Sequence, residues 1–209
     1  MGVTAKDVKE LREATGAGMM DCKKALEECG GDFDKAANWL REKGIASAAK
    51  RQDREAKEGA VTSYIHMGGK IGVLVEVNCE TDLVARGELF QQFCKAVCLQ
   101  ICSTSPRWVR REEASQADID AEMAIYLVQA KESGKPEAVQ QKISEGKLNK
   151  WLKENSLLEQ EFVKNPDVTI EDLMKALSGK VGEKIDIRRF ARFQLGEAID
   201  GKKSSADAE

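Results

Sequence analysis

The 209 residues of the chain, 42% of them hydrophobic and 33% charged, allow one ordinary domain and a small one beneath a strongly charged surface. Its 33 basic and 36 acidic side chains nearly cancel, which disfavours a protein that binds nucleic acid directly. The sequence contains no apolar run near the ~20 residues of a membrane span and no signal or transit pattern, so we expect a cytoplasmic protein without a membrane partner.

Residues 1–43 are predicted to form a domain of three short helices. Thr4 and Asp7 have the spacing of a capping box at the start of the first helix, and Gly30-Gly31 is typical of the end of the second. Three short helices of this size are typical of a bundle of the ubiquitin-associated type. The apolar spacing that supports the first two helices is formed by Val8, Leu11, Ala14 or Thr15, Met20, Ala25, Leu26 and Cys29. The predicted inner face of the third helix is Ala36, Ala37, Trp39 and Leu40.

A connecting helix is predicted over residues 44–58, because this Ala-rich stretch interleaves acidic and basic side chains. A core domain is predicted over residues 59–196. It begins with a hairpin of two strands, at 61–66 and 71–79, because both stretches have strand-like patterns. Gly68-Gly69 between them can supply the positive φ of a tight turn.

The remaining core elements alternate in type along the sequence. A third strand is predicted near the C-terminus, with one side formed by Ile185, Ile187, Ala191, Phe193 and Leu195. Helices are predicted near residues 87–103, 117–132, 136–154 and 169–180. We therefore expect an α+β fold in which helices cover a three-stranded antiparallel sheet, followed by a polar tail over residues 197–209.

The six cysteines offer little chemistry. None forms a CxxC pair, and Cys94 and Cys98 belong to an apolar stripe at helical spacing, so we expect reduced, buried thiols. A thiolate cluster that includes Cys102 is geometrically possible. An enzyme that uses Cys79, Asp82 and the single histidine, His66, would need an exposed Cys79 with a lowered pKa.

Two long motifs identify a family. One is Cys79-Glu80-Thr81-Asp82-Leu83-Val84-Ala85-Arg86, between a predicted strand and a predicted helix, and the other is the stretch LREATGAGMMDCKKAL at residues 11–26. With Ile71–Cys79, Ser133–Pro136 and Glu145–Leu148, they resemble the elongation factor Ts family from about Val8 to Gly196. The single Gly-Val-Leu-Val segment resembles the short form, with one copy of the core.

The resemblance implies a guanine nucleotide exchange factor, and a homodimer by analogy with short members. Such a factor binds elongation factor Tu in its GDP form, dislodges Mg²⁺ and promotes GDP release. The resemblance assigns the dislocation of Mg²⁺ to Thr81, Asp82, Leu83 and Val84. It assigns partner binding to Arg12, Met19 and Met20. Leu83 stands where the family usually has Phe.

No cofactor, resident metal or covalent step is expected in this chain, because it lacks a phosphate-binding loop of the GxxxxGK[ST] type. An exchange factor of this kind makes and breaks no covalent bond, so we do not expect an enzyme.

Several alternatives remain open from the sequence. Asp82 could cap the helix at 87–103 and Leu83 could belong to the core, in which case neither would bind a partner. Met20 could equally be a core residue and Arg12 a solvated charge. The bundle at 1–43 could be a pure interaction module, whereas direct binding of ribosomal RNA lacks both a basic patch and exposed aromatic side chains.

Overall fold

The computed structural model describes residues 3–15, 17–49, 51, 53–66, 68–132 and 134–197. The sheet strands are β1 (Glu58–Ile65), β2 (Ile71–Cys79) and β5 (Asp186–Gln194), and the short strands are β3 (Glu161–Phe162) and β4 (Asn165–Thr169). The helices are α1 (Ala5–Thr15), α2 (Met19–Glu28), α3 (Phe33–Ala49), α4 (Asp82–Ala85), α5 (Glu88–Thr104), α6 (Gln116–Lys131), α7 (Glu137–Asn155) and α8 (Ile170–Val181).

The sheet has the antiparallel strand order β1-β2-β5, while β3 and β4 pair in a separate two-stranded sheet. The predicted α+β class is therefore confirmed. Each of the four long helices predicted for the core lies within one or two residues of its predicted position.

The chain divides into two compact units. The first comprises the described parts of Met1–Val61, Glu76–Cys94 and Glu171–Ile187, and the second those of Thr62–Val75, Lys95–Ile170 and Arg188–Glu209. The three helices predicted over 1–43 lie within the first unit, and the predicted core at 59–196 is divided between both. The polar tail predicted at 197–209 lies outside the described residues from 198 onward.

The first three helices enclose a small core, whose buried members are Val8, Leu11, Cys22, Ala25, Leu26 and Ala36. The predicted capping box starts α1, because Thr4 N donates to Asp7 Oδ2 at 2.9 Å and Asp7 N donates to Thr4 Oγ1 at 3.2 Å. Gly31 N closes the end of α2 by donating to Leu26 O at 2.8 Å, in the manner of a Schellman motif.

In place of the connecting helix predicted over 44–58, α3 continues through Gly44 to Ala49, and residues 53–57 are not helical. Gly44 does not end the helix, because it forms a close crossing with Gly179 of α8. A Cβ placed on Gly179 would lie 3.0 Å from Gly44 Cα. The glycine therefore serves helix packing rather than helix termination.

Strand β2 shows the predicted alternation. Val73, Val75 and Val77 are buried, whereas Leu74 between them is exposed. The strand ends at the buried Cys79. All six cysteines are free, and all except Cys29 are buried, which confirms the interpretation of these thiols as small apolar groups.

The residues predicted to form one side of β5 do not share one environment beyond Ile187. Ile187 is fully buried, but Phe193 is 67% exposed, and Phe190 is half-buried instead. Arg188 and Arg189 are both exposed, so the alternation slips there by one residue. A slip of one residue transfers every later side chain to the opposite face.

A buried amide network organises part of the second unit. Gln100 of α5 is fully buried, and its Nε2 donates to Gln160 Oε1 and to Glu161 O, both at 3.1 Å. Val163 N donates to Gln100 Oε1 at 2.9 Å. The glutamine thus stabilises the β3 region by pairing with the backbone carbonyl of Glu161 and the backbone N–H of Val163.

Candidate functional site

A short helix, α4, follows the end of β2. With the residue before it, this helix contains the four residues Thr81, Asp82, Leu83 and Val84, which we call the wedge. Thr81, with extended backbone dihedrals of φ −130° and ψ 149°, is the N-cap of α4. Its Oγ1 accepts a hydrogen bond from Val84 N at 3.4 Å. Gly87 ends the turn, because its N donates to Val84 O at 2.9 Å. The four wedge residues are therefore held in a defined turn between a strand and a long helix.

Leu83 projects from α4 with 83% of its surface exposed. The alternative that placed Leu83 in the core is therefore wrong. Val84 is half-buried, and Ala85 is buried beneath the turn. A large apolar side chain on a short, capped helix is a suitable group for insertion into a pocket of another protein.

The carboxylate of Asp82 forms a surface ion pair with Arg86. Arg86 Nη2 lies 2.6 Å from Asp82 Oδ2, and Arg86 Nε donates to Asp82 Oδ1 at 3.1 Å. Both side chains are more than half exposed, and exposed pairs of this kind contribute roughly 0–1 kcal/mol. Asp82 is thus available to a partner at small cost. Asp82 does not cap α5, because it is the first residue of α4, whose N-cap is Thr81.

The backbone that leads into α4 is fixed by Glu183, which precedes β5. Its Oε2 accepts from Glu80 N and from Thr81 N, both at 3.0 Å, and its Oε1 accepts from Thr81 Oγ1 at 2.6 Å. Glu183 was not predicted as part of this site, because no local sequence pattern connects residues about a hundred positions apart.

Glu80 makes a second connection to the same loop. Its Oε1 accepts from Lys184 N at 2.6 Å and lies 3.3 Å from Arg54 Nη1. The hydrogen bond from Lys184 N, followed by the Arg54 side chain, lowers the pKa of the Glu80 carboxyl group. Glu80 is therefore an anion at neutral pH and ties the end of β2 to two other segments.

Cys79 is unsuited to nucleophilic catalysis. Burial, followed by the negative charge of Glu183, raises the pKa of its thiol to about 11, so the reactive thiolate is scarce at neutral pH. The thiol instead donates to Thr81 O at 3.2 Å. Nor does the mapped part of the chain contain a group of three or more His, Cys, Asp or Glu residues able to hold a metal ion.

The three predicted anchoring residues lie on the surface of the helical bundle. Arg12 is exposed in the last turn of α1. Met19 and Met20 begin α2, and Met20 is 76% exposed. The alternative that placed Met20 in the core is wrong, because Cys22, Ala25 and Leu26 form the buried side of α2. All three predicted anchors belong to the same compact unit as α4.

Among the residues with a described placement, no helix has the length and apolar character needed to cross a membrane. Comparison with known proteins shows similarity to elongation factors of several bacteria. Over 209 residues, the chain is 54% identical to elongation factor Ts of Geotalea daltonii and 52% identical to that of Geobacter sulfurreducens, covering 100% of this chain and 97% of each relative. It is 53% identical over 207 residues to elongation factor Ts of Carboxydothermus hydrogenoformans, covering 99% of this chain and 95% of that protein.

The model of the family described as "Elongation factor TS" matches residues 4–197. That range includes the exposed α4 turn, the bundle that carries Arg12 and the complete three-stranded sheet. Together with relatives that are more than half identical over almost the whole chain, this match establishes that the chain belongs to the elongation factor Ts family.

Proposed function

We propose that the protein is a guanine nucleotide exchange factor of translation elongation. It binds elongation factor Tu in the GDP form, dislodges the Mg²⁺ of the bound nucleotide and promotes release of GDP. Family membership supports the role in translation elongation. The observation that carries the exchange mechanism is Leu83, exposed on a short capped helix whose base is held by Glu183.

The physical basis lies in the stringency of the partner's metal site. Mg²⁺ requires a nearly octahedral set of oxygen ligands, and in nucleotide-binding proteins it bridges phosphate and protein oxygens. A small displacement of the loop that holds the ion therefore lowers the affinity for both ion and nucleotide. Leu83 produces this displacement by entering an apolar slot, and its burial contributes roughly 1.5–3 kcal/mol.

Asp82 and Thr81 have complementary roles in this mechanism. Asp82 exchanges its surface pairing with Arg86 for a hydrogen bond or a repulsive contact near the metal-binding loop. Thr81 caps α4 and so fixes the direction in which the wedge points, and Val84 packs against the factor's own surface. Leu83 in place of the family's usual Phe keeps an apolar wedge of smaller area.

Arg12, Met19 and Met20 form a second contact, which holds the partner without acting on its metal. Exposed methionines suit a protein interface, because their unbranched side chains adapt to irregular surfaces. Substitution of Arg12 by Ala should weaken association. Changes in the wedge should lower the exchange rate more than the affinity.

The factor acts by binding alone, so we do not class it as an enzyme. A factor that lowers the partner's affinity for GDP is itself bound more weakly by the GDP form, by the same ratio. Exchange proceeds through a ternary intermediate, from which GTP then displaces the factor. The chain itself needs no cofactor or nucleic acid, and it works in the cytoplasm.

The factor is a homodimer in this proposal. Leu195 N donates to Lys70 O at 2.8 Å, which sets Phe193 opposite Gly72 in the antiparallel register. Ile65 of β1 flanks Gly72 on the edge away from β5, since a Cβ on Gly72 would lie 3.1 Å from Ile65 Cδ1. Ile65, Leu74, Phe193 and Leu195 are all exposed. A second copy of this chain would bury that apolar surface.

The test is release of fluorescent GDP from elongation factor Tu of the same source. The wild-type factor should accelerate release catalytically, and the Asp82→Ala, Leu83→Ala double variant should not. Leu89→Ala is the matched control, since Leu89 is also an exposed leucine at the start of a helix. If the wild-type factor bound elongation factor Tu without accelerating GDP release, the protein would be an interaction module and not an exchange factor.

A further inference from the structure

Two carboxylates link the end of β2 to the loop before β5. Glu183 Oε2 accepts from the backbone N–H groups of Glu80 and Thr81, and Glu80 Oε1 accepts from the backbone N–H of Lys184. Each glutamate therefore accepts from backbone N–H of the segment that carries the other. We call Glu80 and Glu183 the reciprocal carboxylate pair.

The hydrogen bonds of this pair fall where the chain changes direction. Glu80 and Thr81 are the two residues between the last residue of β2 and the first residue of α4. Hydrogen bonds to an ionised carboxylate are shorter and stronger than those between neutral groups. Two such bonds to consecutive N–H groups restrict the backbone dihedrals that determine the direction of α4.

Thr81 transmits this restriction to the wedge. Its hydroxyl group donates to Glu183 Oε1 at 2.6 Å and accepts from Val84 N at 3.4 Å. The Cys79 thiol donates to the carbonyl oxygen of Thr81 at 3.2 Å. The N–H, C=O and hydroxyl groups of Thr81 are therefore all engaged, and the first turn of α4 follows its orientation.

The other end of the connection reaches the segment after α3. Lys184 Nζ donates to Arg54 O at 2.9 Å, and Arg54 Nη1 lies 3.3 Å from Glu80 Oε1. The loop that carries Glu183 is thus itself held in place by a second set of contacts. A fixed loop can hold α4 in one orientation, whereas a loose loop would move with it.

We propose that Glu183 is a positioning residue for nucleotide exchange, which sets the angle at which α4 presents Leu83 to the partner. The inference rests on the proposed function and adds to it a residue outside the wedge. Glu183 acts through Thr81 and makes no contact with the nucleotide or its metal. Without Glu183, α4 samples several orientations, of which only a fraction is productive.

The experiment measures kcat and KM for GDP release with Glu183→Ala, Glu183→Gln and the control Glu132→Ala. Glu132 is exposed at the end of α6. Glu183→Ala should lower kcat roughly tenfold or more, because small misplacements of reacting groups are costly. KM should change by less than about twofold, since the anchor at Arg12, Met19 and Met20 is intact.

Glu183→Gln should recover most of the rate. The amide oxygen can accept both backbone N–H bonds, and the amide NH₂ can donate to Thr81 Oγ1. A residue that only stabilised the fold would not give this split between kcat and KM. If Glu183→Ala did not fold, Glu183→Asp would replace it. Its carboxylate is one methylene too short to span both N–H groups, and the same loss in kcat is expected.

A double-mutant cycle with Leu83→Ala completes the test. If Glu183 acts through the wedge, Glu183→Ala should have no further effect on kcat once Leu83 is Ala. Additive losses, or an unchanged kcat in Glu183→Ala, would overturn the inference while leaving the proposed function intact. No acceleration by the wild-type factor would overturn both.

Discussion

Glu183 binds Thr81 through two hydrogen bonds, one to its backbone N–H at 3.0 Å and one to its hydroxyl group at 2.6 Å. The two residues are 102 positions apart in sequence. The same hydroxyl group caps α4, so one threonine connects the loop before β5 to the helix that carries Leu83. The orientation of the wedge therefore depends on tertiary contacts as well as on the local sequence.

Substitution of Thr81 by Val should remove the cap of α4 while leaving the exposed side chain of Leu83 unchanged. Valine keeps the shape of the side chain but removes the hydroxyl group, so both the cap of α4 and the bond to Glu183 are lost. We expect a loss of about 1 kcal/mol in the free energy of unfolding, measured by urea denaturation, and slower GDP release. Thr62→Val is the control, at a strand position where valine is equally suitable. Equal behaviour of the two variants would contradict the role of Thr81.

Substitution of Leu83 by Asp should abolish exchange and leave the fold intact. The side chain is 83% exposed, so the free energy of unfolding should change by less than about 0.5 kcal/mol. An unpaired carboxylate cannot enter an apolar slot without a large desolvation cost, so the exchange rate should fall at least about tenfold. Thermal unfolding and GDP release measure the two quantities. Retention of the wild-type exchange rate would mean that Leu83 remains in water in the complex.

Substitution of Gly59 by Ala should destabilise the start of β1. The glycine has a φ of 144°, and a Cβ there would lie 2.1 Å from Val77 O and 2.8 Å from Asn78 Cα. Because both obstacles belong to backbone, the strand must move, and we expect a loss of roughly 2–4 kcal/mol in the free energy of unfolding. Val77 lies just before the wedge, so exchange should also slow.

The matched glycine control is Gly146→Ala in α7. A Cβ at Gly146 meets nothing within 4 Å, and alanine is the better helix former, so this variant should gain roughly 0.5–1 kcal/mol. Urea denaturation of both variants checks the opposite signs. A loss in Gly146→Ala as large as that in Gly59→Ala would point to a general intolerance of side chains instead of a local clash.

The thiol of Cys79 should remain unreactive in the native protein up to high pH. Its pKa is about 11, whereas the pKa of a cysteine in an unfolded chain is about 8.5. The native state therefore keeps the Cys79 thiol protonated to a higher pH than the unfolded state does. The contribution of this thiol to the free energy of unfolding is fully present below about pH 8.5 and is lost as the pH rises towards about 11. Alkylation at pH 8, read by peptide mass spectrometry, should modify half-buried Cys29 before Cys79. Faster modification of Cys79 than of Cys29 would contradict the burial and raised pKa described for it.

Long periodic segments were predictable because a single pattern runs through them. The stripe from Phe90 to Ile101 repeats at helical spacing over the whole of α5, and every member is buried. The alternation of β2 was equally clear. The motif at residues 79–86 also located the candidate site, although the sequence alone could not decide whether Leu83 was core or surface.

Features that depend on tertiary contacts were missed. Strand β3 has two residues, too few for any period to be detected. The boundary predicted between residues 43 and 44 lies inside α3, because Gly44 continues the helix and lies against Gly179. The slip at Arg188 and Arg189 reversed the sides of β5 with no marker such as glycine or proline.

The most direct test of the wedge mechanism compares GDP release by the wild-type factor and by Leu83→Ala, with Mg²⁺ present and after its removal by chelation. If Leu83 acts by dislodging the ion, the wild-type factor should be faster than Leu83→Ala by at least about tenfold with Mg²⁺ present, since the lost apolar burial is worth roughly 1.5–3 kcal/mol. The two factors should become nearly equal once the ion is gone. A ratio that is the same in both conditions would contradict the mechanism, because Leu83 would then act on the nucleotide site independently of Mg²⁺.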